Sequence, residues 1–573
     1  MSAILTVSDR VRLARYLISQ GALNSLRWVR FNPFLRWRLA GPVSPELLIA
    51  PQDITTADAT RANDIYAGYF SFNGHMVNCS GSSPFDMQGP PLIWHCRLHE
   101  FGWLKHLRAA ENAVSRAQAR LFVEDWIRQN SAVRGIAWDV ECTAKRVIAW
   151  LSHSPLMLEG CDHAFYRRFM RSLTRQVRYL RLSARDAPQG LPRLLVAIAL
   201  AYAAFCMAGP STFVRNSVRR LDRELQLQIL PDGGHVSRNP AAIITLLSLL
   251  LPLRQTIIAR DVAPGEILIG AINRMMPMLR FFRLGDGSFG RFNGMGDTPG
   301  DLVATLLAYD DAGGSPVLNA THSGYQRLSA DDIVVLMDTG ALPPRAVCSQ
   351  MHAGCLSFEM STGLERIVVN CGHLDEYLAS NEAVRLARIA RSTAAHSTLS
   401  INEQSSARFT APRWSRPSSS VAQILSGPQK VVVSRLPSTD EVSVDALHDG
   451  YVSAFGLKHR RILALSNDGM FVSGQDIVLT QREGQVGPDN DNMFQIRFHL
   501  HPNVAATQSS ARTVEIALKS GKRFLFNCMN VDVALDDTVT FSQIYGTQRA
   551  QQIVIEGRLG DHSVVDWAFQ RLY

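Results

Sequence analysis

The sequence has no Cys-x-x-Cys pair. Its nine cysteines stand singly at 79, 96, 142, 161, 206, 348, 355, 371 and 528, which excludes a zinc ribbon and a thioredoxin-type redox pair. An odd number of isolated thiols suits a reducing compartment and buried, unpaired cysteines. Long apolar runs are missing too: the longest, Ala241–Leu253, holds Ser248 and Pro252 and is short for a membrane span. The first fifteen residues carry Asp9, Arg10, Arg12 and Arg15 and no apolar block, so no secretory signal is expected. No solenoid-type repeat or coiled-coil heptad is present. The glycine-rich stretch Gly285–Gly296 (GDGSFGRFNGMG) lacks the Gly-Lys-Ser/Thr ending of a phosphate loop, and it reads as a tight turn near a cleft.

Lysine is almost absent from the first 320 residues, where Lys105 and Lys145 are the only two. That stretch holds 36 basic against 25 acidic residues, whereas residues 321–573 hold 23 against 25. The excess is therefore guanidinium, which suits bidentate recognition of carboxylate, sulfate or phosphate. It is compatible with an anionic polymer, polysaccharide or nucleic acid, and equally with codon bias in a GC-rich genome. No recognition helix or RNA-binding signature supports nucleic acid. With 573 residues, 46% hydrophobic and 19% charged, the chain is globular and has more than one domain.

Residues 1–80 read as a basic segment of helix and loop. From roughly 95 to 320 the apolar period is helical: Leu98, Phe101, Trp103, Leu104 and Leu107 share a face, as do Leu121, Phe122 and Trp126, and Val147, Ile148, Trp150 and Leu151. Val196–Met207 is apolar nearly all round and predicts an inner helix. Breakers at Pro188–Gly190, Gly209–Pro210 and Asp232–Gly234 divide the stretch into helical hairpins. After about His322 the period becomes two. Short β-rich runs follow at Ile333–Asp338, Leu356–Met360, Ile367–Asn370, Thr398–Ile401, Lys430–Val433, Val514–Leu518 and Ile553–Ile555. These predict an antiparallel β-sandwich, with a long loop over Gln404–Ser420.

Three stretches, QILPDGGHVSRNP (Gln228–Pro240), MHAGCLSFEMSTGLERIVVNCG (Met351–Gly372) and RSTAAHSTLSI (Arg391–Ile401), together with the upstream LIWHCRLHEFGWL, resemble the heparinase II/III-like family of polysaccharide lyases. The resemblance runs from about residue 70 to the end. It implies a multidomain α+β chain: an incomplete (α/α) toroid over residues 81–321, then an antiparallel β-sandwich over 322–573, with polysaccharide in the groove between them. Lyases of this kind neutralise a uronate carboxylate, remove the C5 proton and protonate the leaving 4-oxygen. They use an Asn or His on an inner helix, a Tyr after an Asp–Gly turn, and a His opening the β-domain motif.

By the resemblance, His352 occupies the β-domain His position and His396 the later structural or metal-binding one. The inner-helix Asn/His position falls near Gly190–Leu191 and the Tyr position near Ala242, and neither residue type is there. Positions that hold zinc in some relatives read Gly354 and Asn370, so no complete zinc site and no other cofactor is expected. His352 is then a candidate base or a core histidine. His235 is a substitute acid or base, or a loop residue. Arg238 and Asn239 are candidates for holding a substrate carboxylate or for capping the helix that begins at Pro240. Arg391 and His396 are further substrate-side candidates, with ion pairing and a structural role as their alternatives. Tyr325, Tyr377 and Tyr451 are each able to supply a displaced phenol. The expected function is a lyase-like protein acting by β-elimination on an acidic, uronate-containing polysaccharide. The alternative is a non-catalytic glycan-binding or envelope-glycan assembly protein. The resemblance implies the cell envelope or periplasm; the N-terminus reads as cytoplasmic.

Overall fold

A computed structural model describes residues 39–573 except 80, 311–312, 375–380, 410–423, 543, 545 and 573, with residues 14 and 18 besides. Nearly all of the first half of the expected N-terminal segment, most of the Gln404–Ser420 loop and Tyr377 lie outside the described residues.

Helices fill the chain from Thr60 to Ala308, with one small hairpin pairing Tyr69–Phe72 and His75–Asn78. Side-chain caps start several of them: Asn112 accepts from Ser115 N, Asp139 from Glu141 N and Cys142 N, and Asp162 from Phe165 N. The helices sort by their apolar faces into two rings. Leu191–Cys206 is buried continuously from Leu194 to Cys206, the inner helix its sequence predicts. Val140–Ser152 and Ala241–Ile258 pack beside it. His163–Ser183 and Ser211–Gln228 are amphipathic and lie outside, burying Phe169, Leu173, Leu221 and Leu225 while most of their arginines face water. Ala241–Ile258 is the one helix among the described residues long and apolar enough to cross a membrane, and most of it is buried in the toroid. One expected face does not hold: Leu121 is 57% exposed, because its helix turns Val123 and Trp126 inward instead.

The strands of the second part begin at Asn319–Ala320. Two large antiparallel sheets follow, besides a two-stranded pairing of Arg408–Phe409 with Ile424–Ser426. One runs Val533–Ser542, Gly546–Arg558, Met493–Leu500, Glu365–Val369, Phe358–Thr362, Ile333–Asp338, Tyr325–Ala330 and Asn319–Ala320, with Leu399–Ile401 also on Met493–Leu500. The other runs Val431–Pro437, Glu441–His448, Leu457–Ser466, Phe471–Thr480, Val564–Leu572, Arg523–Cys528, Thr513–Ala517 and Ala505–Ser510. Phe358, Phe498, Phe526, Trp567 and Phe569 interlock between them. Among the described residues only the helices Asn381–Ala390 and Val452–Phe455 and two 3-10 turns interrupt the strands after Asp338. The fold is a helical toroid followed by an antiparallel sandwich.

The glycine-rich stretch bridges the two parts. Gly285 N donates to Ser361 Oγ at 3.0 Å, and Arg291 N donates to Glu359 Oε1 at 3.0 Å. A Cβ on Gly285 would overlap the Gly363 carbonyl oxygen, so the approach of the two backbones needs glycine there. Gly285→Ala is therefore expected to cost roughly 1–3 kcal/mol in urea unfolding, the range for overpacking. Gly300→Ala, where no atom lies within 4 Å of the added carbon, should stay near the parent.

Candidate functional site

The toroid and sandwich meet on a buried polar seam organised by Asp338, the last residue of strand Ile333–Asp338. Its carboxylate forms an ion pair with Arg238 and accepts from Asn293 Nδ2 at 2.8 Å and Gly340 N at 3.1 Å. Arg238 follows the Asp232–Gly234 turn in a left-handed conformation, φ 63°. All five of its guanidinium N–H groups have protein acceptors. Nε donates to Ser323 O at 2.7 Å, Nη1 to Gly340 O and Ala341 O, and Nη2 to Gly324 O and Asp338. The guanidinium lies 4.9 Å from the centre of the Tyr325 ring. The Tyr325 hydroxyl donates to Arg238 O at 2.5 Å and accepts from Asn293 Nδ2 at 2.7 Å. Burial pushes the Tyr325 phenol well above its ordinary value, so it stays a neutral donor.

Asn293, itself left-handed at φ 47°, ties this cluster to the histidines: its Oδ1 accepts from His352 N at 3.3 Å. His352 Nδ1 lies 3.1 Å from His396 Nε2, and its Nε2 lies 3.3 Å from His373 Nδ1. His396 Nδ1 lies 2.7 Å from the Ser392 carbonyl, an acceptor only. That partner fixes the tautomers: His396 donates to Ser392, His352 Nδ1–H donates to His396, and His352 Nε2 accepts from His373. Burial, with His396, His373 and Arg391 adding repulsion, pushes His352 well below the usual histidine range. Burial holds His396 at about 4, against a small opposing pull from Ser392 O. The two neighbours of His352 meet different ring nitrogens, so the three imidazoles do not converge on one point. Among the described residues no group of three His, Cys, Asp or Glu is arranged to hold a metal ion.

The remaining candidates sit around this seam. Arg391 brackets His352: its Nε donates to Met351 O at 3.0 Å, its carbonyl accepts from Ala353 N at 2.9 Å, and its guanidinium lies 4.7 Å over Phe409. Asn239 donates from Nδ2 to Gln350 Oε1 at 2.8 Å across the seam. Its Oδ1 accepts from Ala241 N at 2.9 Å, at the start of the Ala241–Ile258 helix. His235 is apart, inside the toroid turn. Ser237 N donates to its Nδ1 at 3.2 Å, its Nε2 donates to Gln228 Oε1 at 3.0 Å, and burial holds it at about 4. Gly190 packs on Val347, 2.9 Å from where its Cβ would stand, and Ala242 is buried. A Cβ on Gly354 would press on the His396 ring, which fills the place a second histidine would take. Asn370 Oδ1 accepts from Ser397 N at 3.0 Å. The Tyr451 hydroxyl donates to Leu399 O at 2.8 Å within the sandwich. Sequence reading missed Asn293, Asp338 and His373. Asn293 lay inside a stretch read only as a turn, and Asp338 ended a run read only as a strand.

A helical toroid followed by an antiparallel sandwich is also the fold of heparinase III. Residues 312–568 match the family described as heparinase II/III-like, C-terminal. A crystal structure of heparinase III superposes with a TM-score of 0.70 at 14% identity, covering 97% of this chain and 91% of that one. A mutant of heparan sulfate lyase HepC from Pedobacter heparinus superposes with a TM-score of 0.60 at 14% identity, over 93% and 85%. These likenesses concern the fold. FtsZ-localized protein C of Caulobacter vibrioides (strain NA1000 / CB15N) is 29% identical over 540 residues, 93% of this chain and 91% of that protein.

Proposed function

We propose that this chain keeps the heparinase fold without β-elimination and works by binding an acidic glycan in the bacterial cell envelope, at the site of division. The observation that carries the reading is the state of the seam. Arg238 has no guanidinium N–H left for a substrate carboxylate and His352 is held between two imidazoles; by the resemblance the lyase Asn/His and Tyr positions fall near Gly190–Leu191 and near Ala242, where neither residue type stands. Transition-state stabilisation needs donors aimed at developing charge, and here those donors are aimed at the protein itself. The likeness to a protein named for its localisation with FtsZ supports the division-site part of the proposal.

A second reading keeps the lyase, with His352 as the base. It is favoured by Asn293, which joins His352 and the Tyr325 phenol in one cluster. Incubation with a panel of uronic-acid polymers separates the two. The expected result is retention of acidic glycan in affinity electrophoresis and no unsaturated uronate by ultraviolet absorbance. An unsaturated product that falls roughly 10²–10⁴-fold in His352→Ala would establish the lyase instead.

A further inference from the structure

The two lysines of the helical half, isolated in sequence among 34 arginines, come together in space. Lys105 and Lys145 both line a cavity of about 280 Å³ in the middle of the toroid. Its walls come from the Leu92–Glu100 helix (Arg97, Glu100), Val140–Ser152, Leu191–Cys206 (Tyr202) and Ala241–Ile258 (Thr245, Ser248), with Asp53 and Thr55 at one side. The cavity is separate from the seam. Leu191–Cys206 starts against Val347 of the sandwich, and Ala241–Ile258 starts beside Gln350. Tyr202 lies eleven residues further along its helix, about 16 Å at 1.5 Å per residue.

The charges on this wall are unevenly matched. Glu100 is held by Lys145 at 3.0 Å and Arg97 at 2.9 Å, and Lys145 also meets Glu141 at 2.8 Å. Asp53 faces His153 at 3.2 Å and accepts from Thr55 Oγ1 at 2.7 Å. Lys105 is left over. Its ammonium donates to Thr55 Oγ1 at 3.3 Å and, among the described residues, forms no ion pair. Burial lowers its pKa, while nearby Asp53 offsets part of that cost. Lys105 is thus the one lining cation that no carboxylate contacts among the described residues. Around it are acceptors for hydroxyl groups, Asp53 and Glu100, the small hydroxyls of Thr245, Ser248 and Ser152, and an apolar patch from Ile148 and Leu249. A dianion such as phosphate would be opposed by the carboxylates, and the volume, just under the range for small-molecule pockets, is that of one sugar.

We propose that this cavity binds a free, single-sugar-sized polyhydroxy monoanion, a sugar acid, with its carboxylate on Lys105. This does not rest on the reading of the seam. The test is calorimetry on the full chain with glucuronate, and with glucose, inorganic phosphate and a uronate-terminated tetrasaccharide as comparisons. Glucuronate is expected to bind one per chain, with glucose and phosphate at least about tenfold weaker, the scale of one charge-assisted hydrogen bond. Lys105→Met, which keeps the aliphatic stem, should weaken glucuronate by about tenfold or more, and Ser248→Leu should fill the cavity and abolish binding. Both should melt close to the parent, and His352→Ala should bind glucuronate unchanged. Absent glucuronate binding, equal binding of glucose or phosphate, an undiminished Lys105→Met, or a tetrasaccharide as tight as the monosaccharide would each overturn the proposal.

Discussion

Arg238→Met is expected to destabilise the protein by about 3–5 kcal/mol in urea unfolding, because it strands a buried carboxylate. Asp338 is 2% exposed, and once Arg238 is gone it keeps only Asn293 Nδ2 and the Gly340 amide as donors. Four backbone carbonyls, those of Ser323, Gly324, Gly340 and Ala341, lose their guanidinium donor at the same time. Asp338→Asn should also be costly, since it leaves the Arg238 charge buried and unpaired. The double substitution should cost clearly less than the sum of the two, because neither charge then remains alone. The result bears directly on function. If Arg238→Met unfolded like the parent and only weakened glycan binding at low salt, where charge is least screened, the guanidinium would belong to a ligand and not to the seam.

How much of this was legible in the sequence depends on which face of each element carries the signal. The inner helix over Leu191–Cys206 was readable because its apolar character runs all round and needs no partner to interpret it. Ile333–Asp338 was readable because both of its faces are covered, so it is a continuous apolar run. Strand Leu457–Ser466 (LKHRRILALS) was not. It turns His459 and Arg461 inward, which inverts the expected pattern, and this is stable only because Asp476 meets both. Arg461 donates to both Asp476 oxygens at 2.8 and 2.9 Å, His459 Nε2 adds a third bond at 2.7 Å and Trp567 Nε1 a fourth at 2.8 Å. Those partners lie 15 and about 100 residues away, so no local window contains the reason for the burial. The seam shows the same limit. His352, His396 and Arg238 were found through motif resemblance, but what they do depends on Asn293, Asp338 and His373. Each of those is unremarkable in its own stretch and is brought to the site by tertiary pairing.

The protein is expected to lose stability steeply on mild acidification, from about pH 6.5 downward. Seven buried histidines bear on this, His99, His235, His352, His396, His448, His459 and His499, each at most 5% exposed. In each the imidazole pKa is lowered from 6.5, with burial the largest cause, and His99 and His499 are held at about 3. Their hydrogen bonds fit neutral rings. Gly450 N donates to His448 Nδ1 at 2.9 Å, which leaves His448 Nε2–H to donate to His459 Nδ1, and His459 Nε2–H to donate to Asp476. The sign follows. A histidine whose folded pKa is depressed stabilises the fold above its unfolded value, near 6.5. It loses that contribution as pH falls toward the folded value, because only the unfolded chain takes up the proton. Between pH 6.5 and 5.5 a ring held at about 3 or 4, as in His99, His235, His396 and His499, costs about 1 kcal/mol, so together they remove several kcal/mol from a total that is rarely large. Urea midpoints at pH 7.5, 6.5 and 5.5 measure this. His352→Asn should reduce the slope below pH 6 by about 1.4 kcal/mol per pH unit, one proton's share. A flat profile across that window would mean that the buried rings enter the folded state already charged. His352 would then be an imidazolium and not the neutral ring a base requires.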